Sequence, residues 1–468
     1  MLKLYRKILV VFLLGSLMVS AFFMRWENYQ NAELRAIDEM VYVRLATQMA
    51  QDFFDYSPIP YGLHLQSRGR DLPDYFFQPI FKHPPLFSAS VTGFIKVFGN
   101  REAIYIMPAL LFGLLLIPLV YLFAKEVYGW KVGVLAALIM WLDPVTTICT
   151  QKIFMSTSLA FWALLAVYMF CRALNTGSGF YFLLAGIATG LGLMTKYTGI
   201  LPLGVFVLYA VLVRRDLFKN RSFWMGLITP FVMSLPWIAW NYAVYKEDMF
   251  LIQLFKQHPA VLQRYTLVEA LILGACIALG FIALMYLFRI KKNQKTHTHF
   301  NLSLPRLGLI LFFLVLLFPY FLNSLSLFHI PLVSWSHTKF FPHNQPLFYF
   351  GRLLEYFPIY LFGLIALFTP VTQNQKNVFV LHVSVLIIAL FFILWRNYQM
   401  RYFLPAIPFL VILTAGCLGE LLQKCIRIEN RLGRFVGVAG LFLFVAYCLV
   451  KVQVITLTLI PTHNFCYF

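Results

Sequence analysis

Apolar runs of about 17 or more residues recur along this chain from one end to the other, and each can cross a hydrocarbon core of about 30 Å as a helix. Inside a bilayer no water satisfies the backbone, so a spanning segment must be an α-helix or part of a closed barrel. The runs lack the period-2 alternation of outer-membrane barrel strands, which leaves helices. Composition agrees. Hydrophobic residues make up 61% of the 468 and charged residues 12%, against about 25% charged in an ordinary soluble domain. The expected fold is therefore an all-α polytopic membrane protein.

The strong runs fall near 8–24, 103–124, 132–149, 153–171, 179–195, 197–213, 223–241, 266–288, 307–323, 353–370, 378–395, 402–422 and 435–457, about thirteen spans. A further apolar stretch, Pro84–Phe98, is short, carries Lys96 and lies between a Pro pair and Gly99-Asn100. It reads as a helix lying near the membrane surface. The positive-inside rule supports leaving it out of the count. With the N-terminus (Lys3, Arg6, Lys7) inside, the basic loops at 125–131, 214–221, 289–295 and 424–434 all fall on one side. Counting 84–98 as a span would break that pattern. The chain thus divides into a first outer segment, 25–102, with juxtamembrane helices, and the remaining spans over 103–457, all within a single integral membrane domain. The N-terminal run looks like a signal peptide but reads as an uncleaved anchor.

The net charge of +20 suggests nucleic-acid binding in a soluble protein, yet here it is a topological signal and an attraction to anionic lipid. The seven cysteines (149, 171, 276, 417, 425, 448, 466) show no CxxC spacing and read as small buried side chains. His258, His329, His337 and His343 match no zinc signature, and there is no Walker A or GxGxxG sequence, so a nucleotide-driven pump is disfavoured.

Four places could carry chemistry. In Arg35-Ala-Ile-Asp38-Glu39-Met-Val-Tyr42, helical spacing puts Asp38 and Tyr42 on one face with Arg35 able to pair with Asp38. A carboxylate there could take a proton from a hydroxyl, or could simply be the acidic first turn of a helix. Lys82-His83-Pro84-Pro85 fixes a cation near the surface, fit for a lipid phosphate or for plain headgroup anchoring. Gly186 and Gly190 give a GxxxG packing pair, and Lys196-Tyr197 follows in a tight turn on the side where short loops are otherwise poor in charge. Arg396 and Arg401 flank the mouth of a helix with prolines in its first turns.

These pieces resemble the bacterial branch of the dolichyl-phosphate-mannose protein mannosyltransferase superfamily, glycosyltransferases of the GT-C type that include aminoarabinose transferases. The matching residues are Asp38-Glu39 with Tyr42, KHPPLF, Arg101 with the following span, Leu142-Asp143-Pro144, GIATGLGLMTKYTGI and RYFLPAIPFL, in the family's order over most of the chain. The resemblance implies a GT-C fold and transfer of a sugar from a polyprenyl-phosphate donor to a lipid, glycan or protein acceptor. The site would face outward from the inner (cytoplasmic) membrane. It makes Asp38 the catalytic base and Glu39 its companion. The donor phosphate and substrate would be held by Lys82, His83, Arg35, Tyr42, Arg101, Lys196, Arg264 and Arg401. No cofactor is required and no metal ligands are assigned, with a divalent metal left open as the alternative. Two departures stand out. The family often has a second acidic residue at the outer start of the fourth span, where this chain has Ser156. The lysine position of its KPPL stretch is His83, with Lys82 one residue early. The rival class is a transporter or flippase of lipid-linked glycans.

Overall fold

The structure, a computed structural model, describes residues 2–30, 36–249, 348–368, 376–395 and 399–459. The spans expected at 266–288 and 307–323 lie outside these residues. Helix α1 (Leu2–Gln30) is followed by three helices of the first outer segment, α2 (Ile37–Gln51), α3 (Ile59–Gln66) and α4 (Leu86–Phe98), and by the single turn α5 (Glu102–Tyr105). Then come α6 (Met107–Tyr128), α7 (Trp130–Leu142), α8 (Pro144–Thr150), α9 (Met155–Thr176), α10 (Gly179–Thr195), α11 (Leu201–Leu212) and α12 (Arg221–Tyr245). The later part holds α13 (Phe348–Tyr356), α14 (Tyr360–Leu367), α15 (Lys376–Trp395), the turn α16 (Met400–Phe403), α17 (Ile407–Ile426) and α18 (Arg431–Leu459). Among the described residues there is no strand.

By length and composition, seven of the described helices can cross a membrane, or eight if the bent pair α7–α8 is one span. The sequence expectation placed eleven spans here (thirteen less two), three more than the helices long and apolar enough to qualify. The runs at 179–195 and 197–213 do form helices, but α10 has 17 residues and α11 has 12. At about 1.5 Å per residue α10 sits at the lower limit for a span and α11 below it, although the turn Tyr197–Ile200 leads directly into α11. The run 353–370 is interrupted between α13 and α14 at Phe357-Pro358, where proline supplies no N–H and disfavours a helical residue before it. The bend of 55° between α7 and α8 has a similar cause at Asp143-Pro144. Pro144 occupies the first position of α8, and Asp143 caps it by accepting from the Thr146 N–H at 2.6 Å. The thirteen-residue α4 cannot cross a bilayer, in keeping with its reading as a surface helix.

Helix α17 is almost wholly buried and packs against α6, α7, α14, α15 and α18, whereas most of α1 and α18 lies on the outside of the bundle. Exposed apolar side chains such as Phe12, Phe23, Phe435 and Phe442 are what a lipid-facing surface calls for. Along the other side, α10 lies between α9 and α12. The GxxxG pair explains how closely: a Cβ on Gly186 would run into the Gly226 carbonyl oxygen, and one on Gly190 would come 2.6 Å from Met233 Sδ. Four of the five described cysteines are buried, as expected.

The helix ends sort the loops into two groups. Segment 36–85, the turn 151–154, Lys196, the end of α12 and the 399–402 turn meet at one end of the bundle. At the other end, Arg172 pairs with Glu126 at 3.4 Å, and Asp216 feels the charge of Lys376. That division matches the loop alternation read from the sequence.

The two glycines predict different sensitivities. Gly186→Val meets immovable backbone and should lose about 1–3 kcal/mol of stability, while Gly190→Ala meets a flexible methionine and should lose less. Thermal unfolding of the two variants in detergent checks the order.

Candidate active site

The site is built on α2. Thr92 of α4 donates to the Ala46 carbonyl at 3.0 Å, seating α2 on α4. The start of α2 is fixed by Glu39, which is fully buried. Its Oε1 accepts from the N–H of Ala36, the residue before the helix, at 3.0 Å, and its Oε2 accepts from the Ile153 N–H at 3.0 Å. Lys152 Nζ stands 3.8 Å away and balances the charge. Glu39 is thus a tie between α2 and the turn linking α8 to α9. Its neighbour Asp38, one position along the helix, points the other way and keeps about a third of its side chain exposed.

Three cations from separate segments surround Asp38. Arg401, nearly buried, places Nη1 2.8 Å from Asp38 Oδ2. Its Nε donates to Gln399 Oε1 at 2.7 Å, and its guanidinium carbon lies 4.7 Å from the centre of the Phe154 ring and 5.2 Å from that of Tyr402. Lys82 lies on the 78–85 loop, with Nζ 3.7 Å from the centre of the Tyr75 ring. That loop is pinned by Tyr245 of α12, whose hydroxyl accepts from the Ile80 N–H at 3.1 Å and lies 3.3 Å from the Ile80 carbonyl, and by the Phe81 N–H donating to the Tyr56 carbonyl at 3.1 Å. Lys196 follows α10 with Nζ 4.3 Å from the centre of the Tyr402 ring. Its turn is tight because Gly192 and Gly199 touch: a Cβ on Gly199 would overlap the Gly192 backbone. Aromatic faces hold all three cations where water is scarce.

The charges act on one another. Burial lowers Lys82 to about 8; Asp38 opposes that shift and Arg401 adds to it. Burial lowers Lys196 further, to about 7, with Arg401 and Lys82 adding to the shift and Asp38 opposing it. Burial first, and then the nearby Asp38, push the Tyr42 phenol well above its ordinary value, so it stays a neutral donor. Its ring packs edge-on against Phe81 and Phe87, at 6.1 and 5.5 Å between ring centres. With both lysines protonated, three cations face one exposed carboxylate. The cluster therefore suits a phosphate-sized anion lying beside a general base.

Of the residues singled out in the sequence, Asp38, Tyr42, Lys82, Lys196 and Arg401 come together. Glu39 is present but faces away into its backbone tie, which is the position of a structural group rather than a reacting one. His83 is buried beneath the loop, edge-on to Phe81 at 5.5 Å between ring centres. Arg101 is exposed where the chain enters α5 and is not among the charges acting on Lys82 or Lys196. Arg35, Arg264, Arg396 and the four loop histidines lie outside the described residues, so the partner described for Asp38 is Arg401. Ser156 is buried at the start of α9. Reasoning from sequence missed Lys152, Gln399 and the aromatic seats Tyr75, Phe154 and Tyr402. Lys152 in the apolar turn between two spans was the readable signal.

The fold is that of a polytopic helical membrane protein, and it is shared with solved structures of the GT-C architecture. Residues 82–240 match the family described as dolichyl-phosphate-mannose-protein mannosyltransferase. ArnT from Cupriavidus metallidurans in the apo state is 15% identical with a TM-score of 0.58, over 98% of this chain and 78% of that one. The same protein bound to undecaprenyl phosphate aligns at 14% identity and a TM-score of 0.52, over 96% of this chain and 76% of that one. The Archaeoglobus fulgidus oligosaccharyltransferase is 15% identical with a TM-score of 0.56, over 96% of this chain but 56% of that one. No curated protein matches. The GT-C resemblance read from the motifs is borne out.

The division of labour between Asp38 and Glu39 has a direct check. Glu39→Ala leaves two backbone N–H groups without their acceptor and should cost about 1–3 kcal/mol for each. Asp38→Asn keeps its shape at a partly exposed position and takes only the counter-charge from Arg401, so it should lower the unfolding temperature in detergent less than Glu39→Ala does.

Proposed function

We propose that this protein is an inverting glycosyltransferase that moves a sugar from a polyprenyl-phosphate carrier to a hydroxyl of a lipid, glycan or protein acceptor, working at the outer face of the cytoplasmic membrane with its N-terminus inside. The observation that carries the reading is the partly exposed Asp38 among Lys82, Lys196 and Arg401, delivered by four separate segments to one end of the bundle. The carrier's tail lies in the bilayer and its phosphate sits among the three cations. Asp38 takes the proton of the acceptor hydroxyl as that oxygen forms its bond to the anomeric carbon. The bond from that carbon to the phosphate oxygen breaks, and its electron pair leaves with the polyprenyl phosphate. Lys82, Lys196 and Arg401 stabilise the charge that grows there. A single displacement inverts the anomeric configuration. The step needs no metal or organic cofactor.

The undecaprenyl phosphate bound by ArnT supports a lipid carrier of this kind. A transporter would be expected to place such groups near the middle of its spans, whereas here they gather at helix ends. The test is transfer in proteoliposomes supplied with polyprenyl-phosphate sugars and an envelope lipid and glycan extract, read by mass spectrometry. Wild type should form a product, and Asp38→Asn should lose about 100-fold or more of the rate. Full activity in that variant would end the general-base assignment.

A further inference from the structure

We propose that Arg401 is shared between Asp38 and the donor phosphate, so that arrival of the donor is what frees the Asp38 carboxylate to act as a base. The inference rests on the functional reading above and adds an order to it: donor first, acceptor second.

In the empty site Arg401 Nη1 is 2.8 Å from Asp38 Oδ2. That carboxylate oxygen is occupied by a guanidinium N–H and is not open to the hydroxyl of an acceptor. The same guanidinium is the natural ligand for a phosphate, since its planar fork of five donors matches phosphate oxygens as well as carboxylate ones. The two anions compete for one group. The mounting of Arg401 permits exchange. Gln399 Oε1 accepts from Nε at 2.7 Å, close to the base of the fork, and Phe154 and Tyr402 lie against the guanidinium. Rotation about that anchored nitrogen would swing the outer nitrogens while keeping the aromatic contacts.

The surroundings push the exchange in one direction. Lys82 and Lys196 both feel Arg401 and Asp38, and burial with crowding weakens their hold on their protons while the site is empty. An incoming phosphate draws Arg401 away, repels Asp38 and favours protonation of both lysines. Asp38 then loses its partner while a third of its side chain faces the space from which an acceptor would come. Before the donor arrives, the carboxylate and the guanidinium neutralise each other, which limits the cost of holding charge near lipid.

The experiment is calorimetric titration of undecaprenyl phosphate into the full-length protein in detergent, as wild type, Asp38→Asn, Arg401→Gln and the double variant. Sharing predicts that Asp38→Asn tightens binding by about fivefold or more, because Arg401 no longer has to be taken from a competitor. In the Arg401→Gln background the same change should alter affinity by less than about twofold, the limit expected of uncoupled sites. Asp38→Ser should repeat the gain with a smaller side chain. A weaker or unchanged affinity in both Asp38 variants would overturn the proposal. So would a gain that persists undiminished without Arg401, since that is plain charge repulsion. If wild type binds no undecaprenyl phosphate, the functional reading falls and takes this proposal with it; binding without the gain sinks the sharing alone.

Discussion

One buried carboxylate fixes the helix start on which Asp38 is carried. Glu39 joins the first turn of α2 to the turn between α8 and α9 through two backbone N–H groups, with Lys152 beside it. An ionised group in that setting costs several kcal/mol unless it is fully partnered. Here both of its oxygens are used. Because Asp38 is the adjacent residue on the same helix, the tie that buries Glu39 also sets the direction in which Asp38 points. The remainder of the first outer segment supports the same end: α2 rests on α4, and the 78–85 loop is nailed to α12 by Tyr245.

Behind α8 lies a second buried node. Asp143 caps α8, and Tyr360 of α14 donates its hydroxyl to the other carboxylate oxygen at 2.6 Å. Arg25 of α1, fully buried, adds a positive charge near Asp143. The break between α7 and α8 is therefore held from three directions, and the turn that carries Lys152, Ile153 and Phe154 starts from a fixed place. Two acidic residues do their work by accepting backbone hydrogen bonds, and the third, Asp38, keeps about a third of its side chain exposed beside Arg401.

Much of this was legible in the sequence because the bilayer enforces simple rules. Long apolar runs must be helices, and basic loops fall on one side, so the grouping of helix ends could be read before any contact was known. The Asp38, Lys82, Lys196 and Arg401 set was legible because each is an ionisable residue beside an apolar run, where charge needs a reason. What escaped was set by tertiary contact. The separate fates of Asp38 and Glu39 depend on a backbone N–H more than a hundred residues away. The ion pair described for Asp38 comes from Arg401 near the far end of the chain, which local spacing could not show. His83 and Arg101 carry the right chemistry, but one is folded under its loop and the other left in solvent. The helix break at Phe357-Pro358 and the shortness of α10 and α11 also escaped, because hydrophobicity registers apolar runs and not helix ends.

The central claim is that the three cations and Asp38 form one phosphate-binding centre. Its most direct test is the equilibrium affinity of the purified protein for undecaprenyl phosphate at pH 7 and at pH 9. Lys82 and Lys196, lowered to about 8 and about 7, lose their charge over that interval. The protonated form binds the anion, so affinity should fall as pH rises, by about tenfold or more. No saturable binding at pH 7, or the same affinity at both values, would contradict the account.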